Sequence, residues 1–298
     1  MALSASFGDL TGLTKFAEVF FNRYEEIPSQ YPSICKEVST DKKQEAYTGI
    51  TGLTAVPVKN ENEDMETDDP IQGYDKTITN VSYGLGVEIS RELMDYDQYG
   101  TMKKISEELA ASAKRTVEQL VANIYNNAFT SGTVADGQYL CYTGHTRLDG
   151  GTAQANRPAT GVDLDIAALE TGRVAMRRFK GHRGQVLYVR PTDLLIPPDL
   201  EKTAEEILGS DKDPENLNNA VNFYKGKMKA VVNDYLSDTD AWFILDRSKM
   251  ETILQWNLKP EFESDNLVKS KNLLWSVYFR CVAAVMDWPF IYGSPGIG

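Results

Sequence analysis

The side chains with chemical potential are few. Cys141 and His145 stand four residues apart in a glycine-rich stretch. A thiol and an imidazole at that spacing suit two ligands of a zinc ion, or a nucleophile beside its base. A structural zinc normally takes four ligands, and no second pair follows, since His182, Cys35 and Cys281 are remote in sequence. A packed loop thiol and a loop histidine are the simpler reading. The expectation is no catalytic residue, no metal site and no cofactor. Glu61 to Asp69 sets six carboxylates in nine positions. Hard cations take such oxygens, but the D-x-D-x-D-G spacing is missing, and a charge run is usually a solvated face. Gly181-His182-Arg183-Gly184 could hold an anion through Arg183 and backbone N–H groups. A tight turn before a strand explains it more simply. Arg177-Arg178-x-Lys180 at a helix C-terminus complements the macrodipole.

Other chemistry is missing. There is no Walker loop, no paired-glycine dinucleotide fingerprint, no G-x-S-x-G elbow and no H-E-x-x-H. The chain has 298 residues, 43 acidic against 31 basic, which gives a net charge of −12. Gripping nucleic acid as a main task usually needs a basic face, so this balance argues against it. The length suggests about two domains. Three separated cysteines make no disulfide framework and point to a reducing compartment. No apolar run approaches the ~20 residues of a membrane span. Met1-Ala2-Leu3-Ser4 opens no secretory signal, so a protein made inside the cell is expected.

The elements that must position these residues are readable from periodicity. Leu10, Leu13, Phe16, Ala17 and Phe20 fall at helical spacing, and Pro28 and Pro32 break the pattern. Residues 1–40 therefore read as a short helix feeding a loosely tied arm. Tyr47 to Val58 and Ile71 to Val81 read as strand-like limbs around the acidic tip, a long hairpin-like loop over 41–80. Such an arm suits the surface of a neighbour. Val81 to Ile89 alternates as a strand. Ile105, Leu109, Ala113, Val117, Leu120, Ile124 and Ala128 form one apolar stripe, with Lys103, Lys104, Glu107, Glu108, Lys114, Arg115 and Glu118 opposite. A helix over 101–130 would be ~45 Å long, a spine for the whole molecule. Residues 131–162 read as loop. Asp163 or Asp165 caps a helix that stops at Gly181, and Gln185 to Arg190 reads as a buried strand. Pro197-Pro198-Asp199 starts another helix through Leu208. Lys229 to Leu236 and Ala241 to Leu245 read as strands, and Trp275 to Val285 as a long one ended by Pro289. The mixture lacks βαβ regularity, so the class is α+β.

This order of parts resembles the major capsid proteins of tailed bacteriophages, with the Hong Kong phage-type capsid fold, and most of all the Mu-like head subunit family. The carrying stretches run from Tyr31 to Pro289. They are Val81-x-Tyr83-Gly84-x-Gly86-Val87-x-Ile89-Ser90-Arg91-Glu92 with Asp95-Tyr96-Asp97-Gln98-Tyr99-Gly100, and Asp136-Gly137-x-x-Leu140 with His145. Tyr188-Val189-Arg190-Pro191-x-Asp193-Leu194 follows, resembling a central-domain strand that ends at proline. Val231-Val232, Asp234-Tyr235-Leu236 and Ala241-Trp242-Phe243-Ile244-Leu245 resemble later strands of that domain.

The resemblance implies an N-terminal arm (1–40), an extended loop (41–80), a peripheral domain (81–162) around the spine helix, an axial domain (163–270) and a return strand (271–298) of the peripheral domain. It implies a structural, non-enzymatic subunit that forms pentamers and hexamers in an icosahedral shell around double-stranded DNA, touched only weakly. The shell would assemble in a bacterial host cytoplasm and become the virion capsid. Because the arm begins almost at Met1, a separate scaffolding protein is expected, with a portal and a maturation protease. Some relatives crosslink a loop lysine to a neighbour's asparagine, for which Lys59 with Asn60 or Asn62 would be the candidates. Two rivals stand beside this reading. One is an encapsulin-type compartment subunit of the same fold, and the other is an acidic α+β enzyme using Cys141 and His145.

Overall fold

The structure, a computed structural model, describes residues 10–96, 99–212, 221–267 and 272–297. Helix α1 (Leu10–Glu26) leads through a 3-10 turn at Tyr31–Ser33 to β1 (Lys36–Ser39). A hairpin of β2 (Gln44–Ile50) and β3 (Gln72–Thr79) follows, then β4 (Val81–Ile89), the short helix α2 (Arg91–Asp95) and the long helix α3 (Tyr99–Asn126). After a long irregular stretch come α4 (Ile166–Arg177), β5 (Asp193–Ile196), α5 (Glu201–Gly209), β6 (Lys229–Val232) and β7 (Trp242–Leu245). The chain closes with β8 (Thr252–Asn266), β9 (Leu273–Val285) and β10 (Ile291–Ser294). This is the α+β class that the periodicity predicts.

Two four-stranded sheets organise the molecule, in the orders β1-β8-β9-β4 and β10-β7-β5-β6. In the first, β9 lies antiparallel to both β8 and β4, with Val87 opposite Trp275 and Val81 opposite Cys281. The alternation of β9 buries Leu273, Trp275, Val277, Phe279 and Cys281. Helix α1 packs there, with the Phe16 ring 4.7 Å from Trp275 and Phe20 5.3 Å from Phe262. In the second sheet every residue of β5, β7 and β10 is buried. Of these, β7 is accordingly an unbroken apolar run rather than an alternation.

Helix α3 joins the two sheets. Its 28 residues span ~42 Å at 1.5 Å per residue. It packs along α1 and β9, and its end reaches β7, where Tyr125 sits 5.6 Å from Phe243. It stops four residues short of the expected Thr130. Asn127 donates its side-chain amide to the Asn123 carbonyl, and Asn126 is drawn to Tyr235 and Ser237. Asparagine side chains compete in this way with the helix ladder.

Several expectations change. Lys114 and Glu118 belong to the side of α3 expected to face water, yet both are buried. The reason is the N-terminal segment, which packs on this side. Phe20, Tyr31, Ile34 and Cys35 are core residues, and β1 pairs in parallel with β8. The segment within 10–40 is therefore tied to its own chain rather than loose. The Glu118 carboxylate accepts the backbone N–H groups of Gln30 and Tyr31, both at 2.9 Å. Burial raises the Glu118 pKa, and these two bonds and Lys114 oppose the rise. The Lys114 ammonium lies 4.6 Å over the Tyr24 ring, a cation–π contact.

Gln185 to Arg190 is not a strand. Tyr188 adopts φ of +56°, which breaks an extended path, and the buried strand falls beyond Pro191 at Asp193–Ile196. β8 lies in a stretch for which the sequence reading names no element, and it contains Pro260. The proline sits at a register shift beyond the β1 pairing, where the missing N–H costs no ladder bond. β8 shares the sheet of β9 and β4, although its residues fall in the 163–270 segment assigned to a separate domain. The 271–298 segment is likewise divided, β9 in one sheet and β10 in the other.

Replacing Glu118 tests the tie between α3 and the N-terminal segment. Glu118→Ala orphans two backbone N–H groups, at about 1–3 kcal/mol each. Chemical denaturation should show a loss in that range or above. Glu118→Gln keeps an acceptor and should lose clearly less. Equal stability of all three chains would remove the role assigned to the carboxylate.

Candidate functional site

Cys141 and His145 lie in the irregular stretch after α3, and both are wholly buried. The bonds of His145 go elsewhere than to the thiol. Its Nδ1 meets Asp136 Oδ2 at 2.7 Å, and its Nε2 meets Asn156 Oδ1 at 3.2 Å. The ring stacks on Trp288, with centroids 4.4 Å apart and planes 7° from parallel. The orientation of Asn156 is fixed by the backbone, since its Oδ1 accepts from Tyr142 N–H and its Nδ2 donates to the Leu140 carbonyl. Its own carbonyl accepts from Gly293 N–H on β10. Both nitrogens of His145 therefore face acceptors, and the ring pins the irregular stretch against the ends of β9 and β10.

Cys141 has no such network. A Cβ on Gly293 would fall 3.0 Å from its sulfur and 2.5 Å from Phe243, so only glycine fits there. Burial pushes the Cys141 and Cys35 thiols up, and the Cys281 thiol up to about 12. A nucleophile must be a thiolate with access to solvent, and Cys141 is neither. Burial also holds the Asp287 carboxyl above its ordinary range, against the Trp288 N–H that it accepts and the smaller pull of His182 and His145. Among the described residues, no three His, Cys, Asp or Glu side chains gather in a way that could hold a metal.

The second feature is the β2–β3 hairpin. Its base is tied to the body by Tyr47, which donates to Gln255 at 3.0 Å, and by Lys76, which donates to the Thr133 and Val285 carbonyls. The two strands approach closely at a register shift, where a Cβ on Gly73 would come 2.9 Å from the Gly49 backbone. The limbs are shorter than expected, because the ladder ends at Thr51 and Ile71. From Gly52 to Gln72 every residue is exposed, including Val56 at 95%, Val58 at 90% and Met65 at 78%.

One more tie holds the loop. Asp68 Oδ2 accepts from the N–H and hydroxyl of Thr54, both at 2.9 Å. The Arg183 guanidinium grips the same carboxylate with two N–H groups at 2.8 and 2.6 Å. Gly181 to Gly184 is indeed a tight turn, closed by Gly184 N–H on the Gly181 carbonyl. Its Arg183 does hold an anion, one from the chain's own acidic stretch. Thr54 and Arg183 bring the Asp68 pKa down to about 2. Neither residue type nor spacing announces a pair separated by 115 positions.

A family model described as phage capsid protein matches residues 73–294. Over 74 residues the chain is 38% identical to the major capsid protein of Escherichia phage Mu, a stretch covering 25% of this chain and 24% of that protein. The procapsid of bacteriophage JBD30 superposes with a TM-score of 0.57 and 16% identity, over 98% of this chain and 76% of the other. A virus-like particle from Pyrococcus furiosus gives a TM-score of 0.56 and 9% identity, over 95% and 99% of the two chains. Identities this low speak for the fold alone.

Two measurements test the geometry. Asp68 is depressed in the folded chain, so its contribution is complete above the unfolded carboxylate value of ~3.9 and is lost as pH falls through about 2. Hydrogen exchange at Thr54, normalised to the intrinsic rate, should stay slow at pH 4 and speed up near pH 2. Asp68→Asn should make it fast at both. Native alkylation at pH 8 should leave Cys35, Cys141 and Cys281 unmodified, with all three reacting in denaturant. Rapid native labelling of Cys141 would revive its nucleophilic reading.

Proposed function

The chain belongs to the phage capsid protein family, and from that premise we propose that it is the major head subunit of a tailed phage. Copies of it assemble as pentamers and hexamers into an icosahedral shell around double-stranded DNA. The observation that carries this reading is the hairpin. A run of exposed residues that includes Val56, Val58 and Met65 finds no cover on its own chain. Exposed apolar surface of this kind marks an interaction site. Stable interfaces remove ~1,200–2,000 Å² from water, and an arm laid over a neighbour supplies such area without enlarging the monomer core.

In this reading residues 1–40 are an arm and 41–80 an extended loop that overlaps the next subunit. Residues 81–162 and 271–298 are the peripheral domain around α3, and 163–270 the axial domain, with β8 serving the peripheral sheet and β10 the axial one. The net charge of −12 suits a container wall that touches packaged DNA weakly. A scaffolding protein, a portal and a maturation protease are the proposed assembly partners. The virion capsid is the final location, reached by assembly in the host cytoplasm. The subunit is read as structural, supported by the burial of Cys141 and by the bonds of His145 to Asp136 and Asn156 rather than to the thiol.

The encapsulin-type reading is favoured by one observation, the fold shared with the virus-like particle from Pyrococcus furiosus. Size-exclusion chromatography and negative-stain images of particles from an infected or co-expressing host decide between the readings. Closed megadalton particles filled with DNA are expected. Particles filled with a cargo enzyme would transfer the chain to the compartment class. A chain that stays monomeric in every condition would overturn both.

A further inference from the structure

The hairpin tip has a counterpart elsewhere on the molecule. We propose that the face formed by residues 186–192 and 247–249 is the docking site for the acidic hairpin tip of a second copy of this chain. This rests on the shell reading and names the surface that receives the tip.

The face is built as follows. Val186 is 60% and Tyr188 65% exposed, while Val189 between Tyr188 and Arg190 is buried. Tyr188 is held at φ +56°, a conformation that bulky residues rarely adopt and that collects at functional surfaces. The exposed Arg190 fixes it there, with its guanidinium 4.6 Å over the ring and bonded to the phenol oxygen. Alongside run the exposed Arg247 and Lys249. The Lys249 ammonium rests on the Leu187 carbonyl and Arg247 on the Pro32 carbonyl. None of these three cations has an ion-pair partner among the described residues. The acids beside them are spent. Asp246 is buried and accepts from Arg190 N–H and from Ser248, and Asp193 is buried against Thr192. The result is an aromatic centre ringed by positive charge, on a chain that is acidic overall.

The tip has the opposite make-up. Glu61, Glu63, Asp64 and Glu66 have no lysine or arginine partner among the described residues, and Val56, Val58 and Met65 are bare. Beyond the Thr54–Asp68 tie, each limb has about six residues, or ~20 Å at ~3.3 Å each. The chemistry has a precedent within the chain, since Asp68 from the same stretch is already clasped by Arg183. Within one copy, no hydrogen bond or ion pair among the described residues joins the tip to the 186–192 face. A second copy is thus the fitting occupant. Tyr and Arg are the residue types that carry interface energy, and opposite potentials set register.

The test uses the full chain under its particle-forming conditions. Arg190→Glu with Lys249→Glu, and separately Glu63→Lys with Glu66→Lys, should each lower particle yield at least ~tenfold by placing like charges together. Combining the two sets should restore it. All four positions are exposed, so circular dichroism should show each variant folded. The small loss of the Arg190–Tyr188 and Lys249–Leu187 contacts is common to the charge-reversed face and to the combined chain, so it does not account for a restored yield. Chains carrying Met65→Cys mixed with chains carrying Tyr188→Cys should form a disulfide-linked heterodimer within particles. The native cysteines are buried and do not compete. Normal particles from both reversed chains, with no heterodimer, would overturn the docking site and leave the shell reading standing. Normal particles that lose DNA retention on Arg190→Glu would assign the face to nucleic acid instead and overturn the proposal. A parent chain that never forms particles would defeat the shell reading, and the docking site with it.

Discussion

Everything in this fold answers to the burial of α3. A helix of ~42 Å that touches both sheets is covered on more than one side, so its polar positions cannot all face water. Ser106 donates to the Phe16 carbonyl, Lys114 lies over Tyr24, Glu118 holds the backbone of Gln30 and Tyr31, and Tyr125 donates to the Ile34 carbonyl. All five partners lie between residues 16 and 34. An unpaired buried charge is far more costly than a paired one. The N-terminal segment is therefore the polar complement of the spine. Its exit from that groove sets where β1 can join the sheet.

The hairpin is the opposite solution. It holds to the body by a few polar ties at its base and by Arg183, and beyond them it buries almost nothing. Bare valines on an uncovered loop invite promiscuous pairing, and charge is the usual protection. The carboxylates around Met65 supply it. They keep the loop in water until a surface of opposite charge is presented. The same residues thus give both solubility and selectivity.

Periodicity made much of this legible. α3, β4, β9, α5 and the hairpin follow from stripes and alternation that survive in the structure. The failures have physical causes. A charged residue at helical spacing reads as solvated until another segment is known to cover it, as happened at Lys114 and Glu118. Pro260 is a residue type that ordinarily argues against a strand, and β8 tolerates it at a register shift. The Gln185–Arg190 run has strand composition, but backbone dihedrals such as that of Tyr188 are set by tertiary contacts. Cys141 and His145 are close in sequence, yet a loop fixes no side-chain direction, and their environments diverge. His145 found Asp136, Asn156 and Trp288, none of which spacing could rank above the thiol. The resemblance to capsid subunits lies in local stretches of sequence, while the pairing of Asp68 with Arg183 arises only when the chain folds.

The parallel pairing of β1 with β8 has a kinetic side. Thr40 and Asn257, at the end of that pair, are 217 positions apart in the chain. Contacts of such separation form slowly, because a long loop must close before they give anything back. On a ribosome the N-terminal segment emerges first, and its strand partner appears only when most of the chain has been made. Until then Phe20 lacks Phe262, its ring partner on β8, and the edge that β1 will occupy does not exist. Before that partner has emerged, the segment is open to contacts with other chains. Synthesis rate and chaperone supply then govern how much of it reaches the native state, independently of how stable that state is.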